Sequence, residues 1–216
     1  MTTFNYTKIY LFLLLISITA CNQAERKISN EMNSNISITD FRGKEININK
    51  PAERIVCLIE SALSGIYMLG AENKIVGISS NVYNDNVAAQ YAYLDNRIKN
   101  KTINAPGNWD FVNIESVVAL KPDLVIMWAS QQEAIQAIEL KGIPVYAVML
   151  KSADDVYKEI SDLGKLTGKI NRADIIIQYT KDELTKFAFA NNKLIKKKKK
   201  VYFMWSQGPL ETSGEK

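Results

Sequence analysis

Asn113-Ile114-Glu115-Ser116-Val117-Val118-Ala119-Leu120-Lys121-Pro122-Asp123-Leu124-Val125-Ile126-Met127-Trp128 reads as a helix run straight into a buried strand. Asn113 can cap the helix, and Glu115 falls in its first turn, where negative charge is favoured. Pro122 stops the helix. Leu124 to Trp128 is continuously apolar, as strands are when helices cover both faces of a parallel sheet. The same unit recurs on either side. Ile55–Ile59, Lys74–Ser79 and Pro144–Leu150 read as further strands, and Ser61–Leu69, Gln131–Lys141 and Asp154–Leu166 as helices, with Asn86–Tyr93 weakly helical. Short apolar strands separated by helices predict an α/β fold with a Rossmann-like parallel sheet of four strands and right-handed crossovers. Ahead of it, Ile36–Phe41 and Glu45–Asn49 alternate around the turn Arg42-Gly43-Lys44, which predicts a β-hairpin.

Five segments follow from this pattern. Residues 1–21 are a lipoprotein signal peptide. Lys8 precedes the ten-residue apolar run Ile9–Ile18, which is too short to span a bilayer, and the run ends in Ile18-Thr19-Ala20-Cys21. Small residues before a cleavage point mark a signal peptide, and the Cys directly after them marks Cys21 as the lipidation site. Residues 22–35 are a polar, flexible tether, and residues 36–150 are the N-terminal α/β lobe. Residues 151–199 form a helical connector. Within it, Asn171 to Ile195 contains no Pro or Gly and carries a helical stripe from Ala173 to Ile195. Residues 200–216 hold one strand, Val201–Trp205, and a loop. A lone strand cannot bury its faces, so this segment reads as the start of a second α/β lobe cut short.

Charge and composition exclude several functions. The formal charge is +4. Lys8 is the only charge in residues 1–21, so cleavage leaves +3, and setting aside Lys196–Lys200 brings it to −2. The basic balance is one lysine run at a helix end, not the spread footprint of a nucleic-acid binder. The chain has no His. Ser-His and Cys-His nucleophile pairs are therefore excluded, and a bare-metal receptor loses its commonest ligand. Ile55–Ile59 leads into Glu60-Ser61-Ala62, without the glycine-rich loop of a nucleotide-binding enzyme. No enzyme and no cofactor are expected. Of the two cysteines, Cys57 lies within an apolar run and reads as an inert core thiol.

Trp109-Asp110-Phe111-Val112-Asn113-Ile114-Glu115, with the "ALKPDLVI" of Ala119–Ile126, resembles the class III periplasmic binding proteins of ABC importers, the receptors for vitamin B12, ferric siderophores and haem. Lys50-Pro51-Ala52-Glu53-Arg54-Ile55-Val56, Leu69-Gly70-Ala71, Ile75-Val76-Gly77, Lys200-Val201-Tyr202 and Thr212-Ser213-Gly214-Glu215 look similar as well. The resemblance covers residues from about 36 onward. It implies two Rossmann-like lobes joined by one long helix, ligand in the cleft between them, and an extracytoplasmic, monomeric receptor. That receptor would be lipid-anchored to the bacterial cell envelope and would deliver a metal chelate to an importer permease.

By the same resemblance, Glu115 docks on arginines of the permease. Trp109 and Trp128 match cleft aromatics of the B12-binding member. Trp205 would face the cleft from the second lobe. Glu60, Ser61, Asn81 and Tyr83 follow the first two α/β strands and can reach the cleft. The B12-binding member has Pro in place of Glu60 and Tyr in place of Asn81, which points to a hydrogen-bonding chelate such as a ferric siderophore over cobalamin. The alternatives are a receptor for a bare metal ion or an oxyanion, and a non-functional fragment of such a receptor.

Overall fold

Residues 35–194 are described by a computed structural model of the chain. The alternating segments pair antiparallel as β1 (Ile36–Thr39) and β2 (Glu45–Ile48), with Ile36 opposite Ile48 and Thr39 opposite Glu45. One face of the hairpin is buried through Ile38, Ile46 and Ile48. At the turn, Gly43 takes φ +80°, and the Asp40 carboxylate accepts from the Arg42 and Lys44 amides at 2.8 and 3.0 Å. The turn reaches the main sheet. Phe41 N donates to Ala147 O at 3.1 Å, and the Arg42 guanidinium donates to Val145 O at 3.2 Å and Glu139 at 2.9 Å.

The main sheet comprises β3 (Ile55–Cys57), β4 (Ile75–Ser79), β5 (Asn104–Gly107), β6 (Leu124–Trp128) and β7 (Val145–Val148). They are all parallel, in the order β5-β4-β3-β6-β7. The connecting helices are α1 (Glu60–Met68), α2 (Asp85–Ala92), α3 (Asn96–Lys99), α4 (Ile114–Ala119) and α5 (Gln132–Glu139), followed by α6 (Ala153–Thr167) and α7 (Ile170–Leu194). The α/β parallel-sheet class is as expected, but the sheet has five strands, not four. The fifth, Asn104-Ala105-Pro106-Gly107, reads as a loop because Pro and Gly punctuate it. It forms at the sheet edge, where Pro is tolerated because its missing N–H has no neighbour to serve. β3 is also shorter than its apolar run, although Leu58 N still donates to Ile126 O at 2.8 Å.

Period-2 alternation gives the sheet two buried faces. On one, Val56, Val125, Met127, Val145 and Ala147 pack with Val117 of α4 and Ile135 and Ile138 of α5. On the other, Ile55, Cys57, Ile126 and Tyr146 lie towards α1 and α6. Gly65 of α1 lets α6 approach: a Cβ there would meet Leu163 Cδ1 at 2.9 Å and Ile160 Cδ1 at 3.1 Å. The Tyr146 hydroxyl donates to Asp162 of α6 at 2.9 Å. Each such aliphatic side chain contributes roughly 1.5–3 kcal/mol when fully buried, so these two layers carry most of the lobe's stability.

The amino ends of the strands are fastened by polar groups. The Asp123 carboxylate accepts from the Glu53 and Arg54 amides at 2.8 Å each. The Arg54 guanidinium donates to Leu120 O at 2.7 Å and Lys121 O at 3.0 Å, closing the end of α4. Lys74 Nζ donates to Ala52 O at 3.0 Å and pairs with Glu53 at 2.9 Å. Arg97 donates to Glu72 O at 2.7 Å and Ile75 O at 3.1 Å while pairing with Asp95.

Ser152 caps α6 by accepting from Asp155 N at 3.2 Å, and Gly168 ends it at φ +72°. The expected long helix is present as α7, 25 residues without a break. Contacts divide the chain between Ile175 and Ile176. The first unit holds the hairpin, the sheet, α1–α6 and the start of α7. In the second, Thr180 bonds back to Ile176 O at 2.8 Å and Lys186 pairs with Glu183 at 2.7 Å. Among the described residues, no helix is long and apolar enough to cross a membrane. The signal peptide with Cys21, the lysine run, and residues 200–216 with Trp205 lie outside the described residues.

Candidate ligand-binding rim

In open parallel sheets, ligands bind beyond the carboxyl ends of the strands, at the point where strand order reverses. Here β4 and β5 lie to one side of β3 and β6 and β7 to the other, so the reversal falls between β3 and β6. The loops leaving β3, β4, β5 and β6 form the rim at that point.

The loop after β5 is the most elaborately built. Gly107 bridges Val112, and a Cβ on residue 107 would lie 2.4 Å from Phe111 O and 2.7 Å from Val112 Cα. Glycine alone allows so tight a closure. Asn108 then folds the chain: its Oδ1 accepts from Asp110 N at 2.8 Å and Phe111 N at 3.1 Å, and its own amide donates to Phe111 O at 2.8 Å. This side-chain turn is the usual role of Asn in loops. It holds the backbone on both sides of residue 109 and leaves Trp109 standing out, 59% exposed, with Phe111 67% exposed beside it. Two neighbouring exposed aromatics form the kind of apolar patch that marks a contact surface.

Asn108 also ties three loops together. Its Nδ2 donates to Ser80 Oγ at 3.1 Å and Asn81 Oδ1 at 3.4 Å in the loop after β4. Its carbonyl accepts from Gln131 Nε2 at 2.9 Å, from the loop after β6. That carbonyl fixes the orientation of the Gln131 amide, since a flipped amide would set two oxygens against each other. Gln131 Oε1 is then a buried acceptor with no donor, a state that costs about 1–3 kcal/mol. A cavity of about 510 Å³ opens here, lined by Trp109, Asp110, Phe111, Gln131 and Glu133 among others.

Of the residues singled out in the sequence, Trp109 forms the cavity wall and Asn81 is joined to it through Asn108. Glu60 opens α1 behind this rim. Its Oε1 accepts from Ser79 Oγ at 2.7 Å and its carbonyl from the Tyr91 hydroxyl at 2.9 Å. Ser61 is exposed next to it. Tyr83 is not brought to the cluster: its hydroxyl donates to Ile103 O at 2.6 Å, ahead of β5 and at the far end of that strand from Gly107. Trp128 ends β6 half-buried, on the same side as Leu124 and Ile126, and does not line the cavity. Glu115 is exposed in the first turn of α4, where Asn113 Oδ1 caps Ser116 N at 2.8 Å. The residues missed in the sequence are Asn108 and Gln131. The Gly-Asn-x-Asp order signals a turn of the kind Asn108 makes, whereas nothing in the sequence points to Gln131.

The remaining chemistry of the lobe is quiet. No group of three metal-ligating side chains occurs among the described residues. The Cys57 thiol is fully buried and donates to Ile59 O at 3.3 Å, and burial pushes its pKa up, which keeps it protonated and inert.

Residues 55–213 match a family model described as periplasmic binding protein. The chain belongs to the periplasmic binding protein family. Similar members of the family include an uncharacterised ABC transporter substrate-binding lipoprotein of Bacillus subtilis, 29% identical over 81% of this chain and 54% of its own length. The molybdate-binding protein MolA of Haemophilus influenzae is 32% identical over 73% of this chain and 48% of its own. A solved periplasmic solute binding protein of Veillonella parvula superimposes with a TM-score of 0.66 at 28% identity, over 79% of this chain and 52% of that one. The chain thus spans about half the length of the relatives it matches. The family is one of binding proteins, in keeping with the lack of a nucleotide loop after β3.

Proposed function

We propose that this chain is part of an extracytoplasmic solute-binding lipoprotein that captures a metal chelate and delivers it to an ABC importer permease. The observation that supports the reading is Trp109, held out by the Asn108 turn over a cavity between the loops that leave β5 and β6 at the carboxyl end of the sheet. A flat, rigid, exposed indole suits the apolar flank of a chelate or macrocycle. Asn81 and Ser61 add hydrogen-bonding groups on the same rim, Trp128 and Tyr83 are candidates outside the cavity lining, and Trp205 would contribute from the second lobe. In this reading Cys21 carries the lipid that holds the protein at the cell envelope, as the lipoprotein name of the Bacillus relative supports. Glu115 is free at the start of α4 to meet a permease arginine through paired, charge-assisted hydrogen bonds.

A second reading, a receptor for an inorganic oxyanion, draws on the molybdate-binding relative. Titration separates the two. Tryptophan fluorescence should quench on addition of at least one of cobalamin, haem or a series of ferric siderophores. No response to any of these, with a tight response to molybdate or a free metal ion, would sink the chelate reading.

A further inference from the structure

The carboxyl end of this sheet is acidic, whereas charges of both signs meet at its amino end. Around the carboxyl ends, from each strand's last residue through the first turn of the following helix, the described side chains include six acids: Glu60, Asp110, Glu115, Glu133, and the Asp154-Asp155 pair. Lys151 is the only cation there. At the amino ends the charges are mixed: Arg54, Lys74, Arg97, Lys121 and Lys141 stand among Glu53, Glu72, Asp95, Asp123 and Glu139. Within the Trp109 cavity itself the charged lining groups are Asp110 and Glu133, with no cation beside them.

The helices α1, α4, α5 and α6 begin at the carboxyl ends of β3, β5, β6 and β7, and a helix start is ordinarily a ready anion site. Here each is already served by the chain's own acids. Glu60 opens α1, Glu115 lies in the first turn of α4, and Glu133 in that of α5. Asp154 and Asp155 open α6, where the Asp155 carboxylate also accepts from Lys151 N at 2.8 Å. Acids in first turns are common complements to the helix dipole, and alone they would say nothing of a ligand. They act together with an aromatic-walled cavity lined by one of them, Glu133, and by one further carboxylate, Asp110, with no guanidinium or ammonium. An anion entering it would exchange water for repulsion, and the adjoining start of α5 is already complemented by Glu133.

We infer that this wall selects its ligand by charge, accepting a metal chelate of zero or positive net charge and rejecting anions, whether a bare oxyanion or an anionic chelate. The inference rests on the reading of the rim as the ligand wall and narrows the substrate class within it. The rim's negative field would also speed the approach of a cationic chelate, an effect that weakens as salt is added.

Calorimetric titration of the chain with four probes tests this: ferrioxamine B, a cationic chelate; ferrichrome, an uncharged one; ferric enterobactin, which is triply anionic; and sodium molybdate. Ferrioxamine B or ferrichrome should bind at least about tenfold more tightly than either anion. The double reversal Asp110→Lys/Glu133→Lys, at two exposed positions, should keep the circular dichroism of the parent. It should shift the ratio of cationic to anionic affinity by at least about tenfold towards the anions. Enterobactin or molybdate binding as tightly as ferrichrome would overturn the charge inference while leaving a receptor, as would a ratio unmoved by the double reversal in a folded variant. Binding of none of the four, nor of cobalamin or haem, would overturn the receptor reading itself, and the charge inference with it.

Discussion

The two ends of one sheet differ in how completely their polar groups are matched. At the amino ends, Asp123, Arg54, Lys74 and Arg97 are all engaged with backbone carbonyls, backbone amides or each other. At the carboxyl ends, Gln131 keeps an orphaned oxygen and Trp109 and Phe111 stand in solvent. The motifs by which the family resemblance is recognised lie largely at the first end. Lys50–Val56 and Ala119–Ile126 interlock, with Asp123 of one holding the backbone of the other. They say a great deal about the fold and little about the ligand, because they fasten the sheet on the side away from the candidate cavity.

Three measurements would break or sharpen that contrast. The largest effect concerns Glu159, the other residue with an orphaned buried acceptor among the described residues. It lies in α6, outside the lining of the Trp109 cavity, and is 2% exposed. Desolvation raises its carboxyl from the ordinary 4.5 to about 7. The folded protein therefore holds the proton to higher pH than the unfolded chain does. Stability from this group is greatest below pH 4.5, falls between pH 4.5 and 7, and is fully lost above that. The difference corresponds to about 3 kcal/mol. Glu159→Gln should match the parent in urea unfolding at pH 4 and exceed it by about 3 kcal/mol at pH 8. Equal stability at pH 8 would show that an unmatched group in the core is as harmless as one at the rim.

The next effect belongs to the amino ends. Asp123→Ala frees the Glu53 and Arg54 amides at a partly exposed site and should cost about 2 kcal/mol in urea unfolding, with the ligand affinity of the folded protein unchanged. A fall in affinity greater than the fall in folded fraction would blur the division of labour. The smallest stability effect is expected at the rim. Trp109→Ala should leave unfolding within about 0.5 kcal/mol of the parent, as an exposed substitution does, while weakening chelate binding by at least tenfold.

Much of the first end was legible in the sequence, and much of the second was not. Leu124–Trp128 and its helix can be read because period and composition are local properties, and Pro122 marks the boundary between them. β5 could not be read, because Asn104-Ala105-Pro106-Gly107 has loop chemistry and becomes a strand only by pairing with β4. Trp109 could be placed on a loop beside the ligand region, but its prominence depends on the bonds Asn108 makes to residues two and three further on. Tyr83 looked equally placed by position, yet its hydroxyl found the Ile103 carbonyl. Gln131 was invisible, since its role arises from a carbonyl 23 residues away. Polar side chains on loops are decided by partners that periodicity does not reveal.

The hairpin turn at Phe41 and Arg42 has one more consequence. It occupies the carbonyls of Ala147 and Val145 along the outer side of β7. On the opposite border, Pro106 of β5 has no N–H to offer, and its carbonyl is taken by Asn113 N at 2.8 Å. Bare strand borders are where sheets from separate molecules fuse into aggregates. In this lobe part of each border of the main sheet is already engaged by the chain itself, which narrows the ladder open to a second copy.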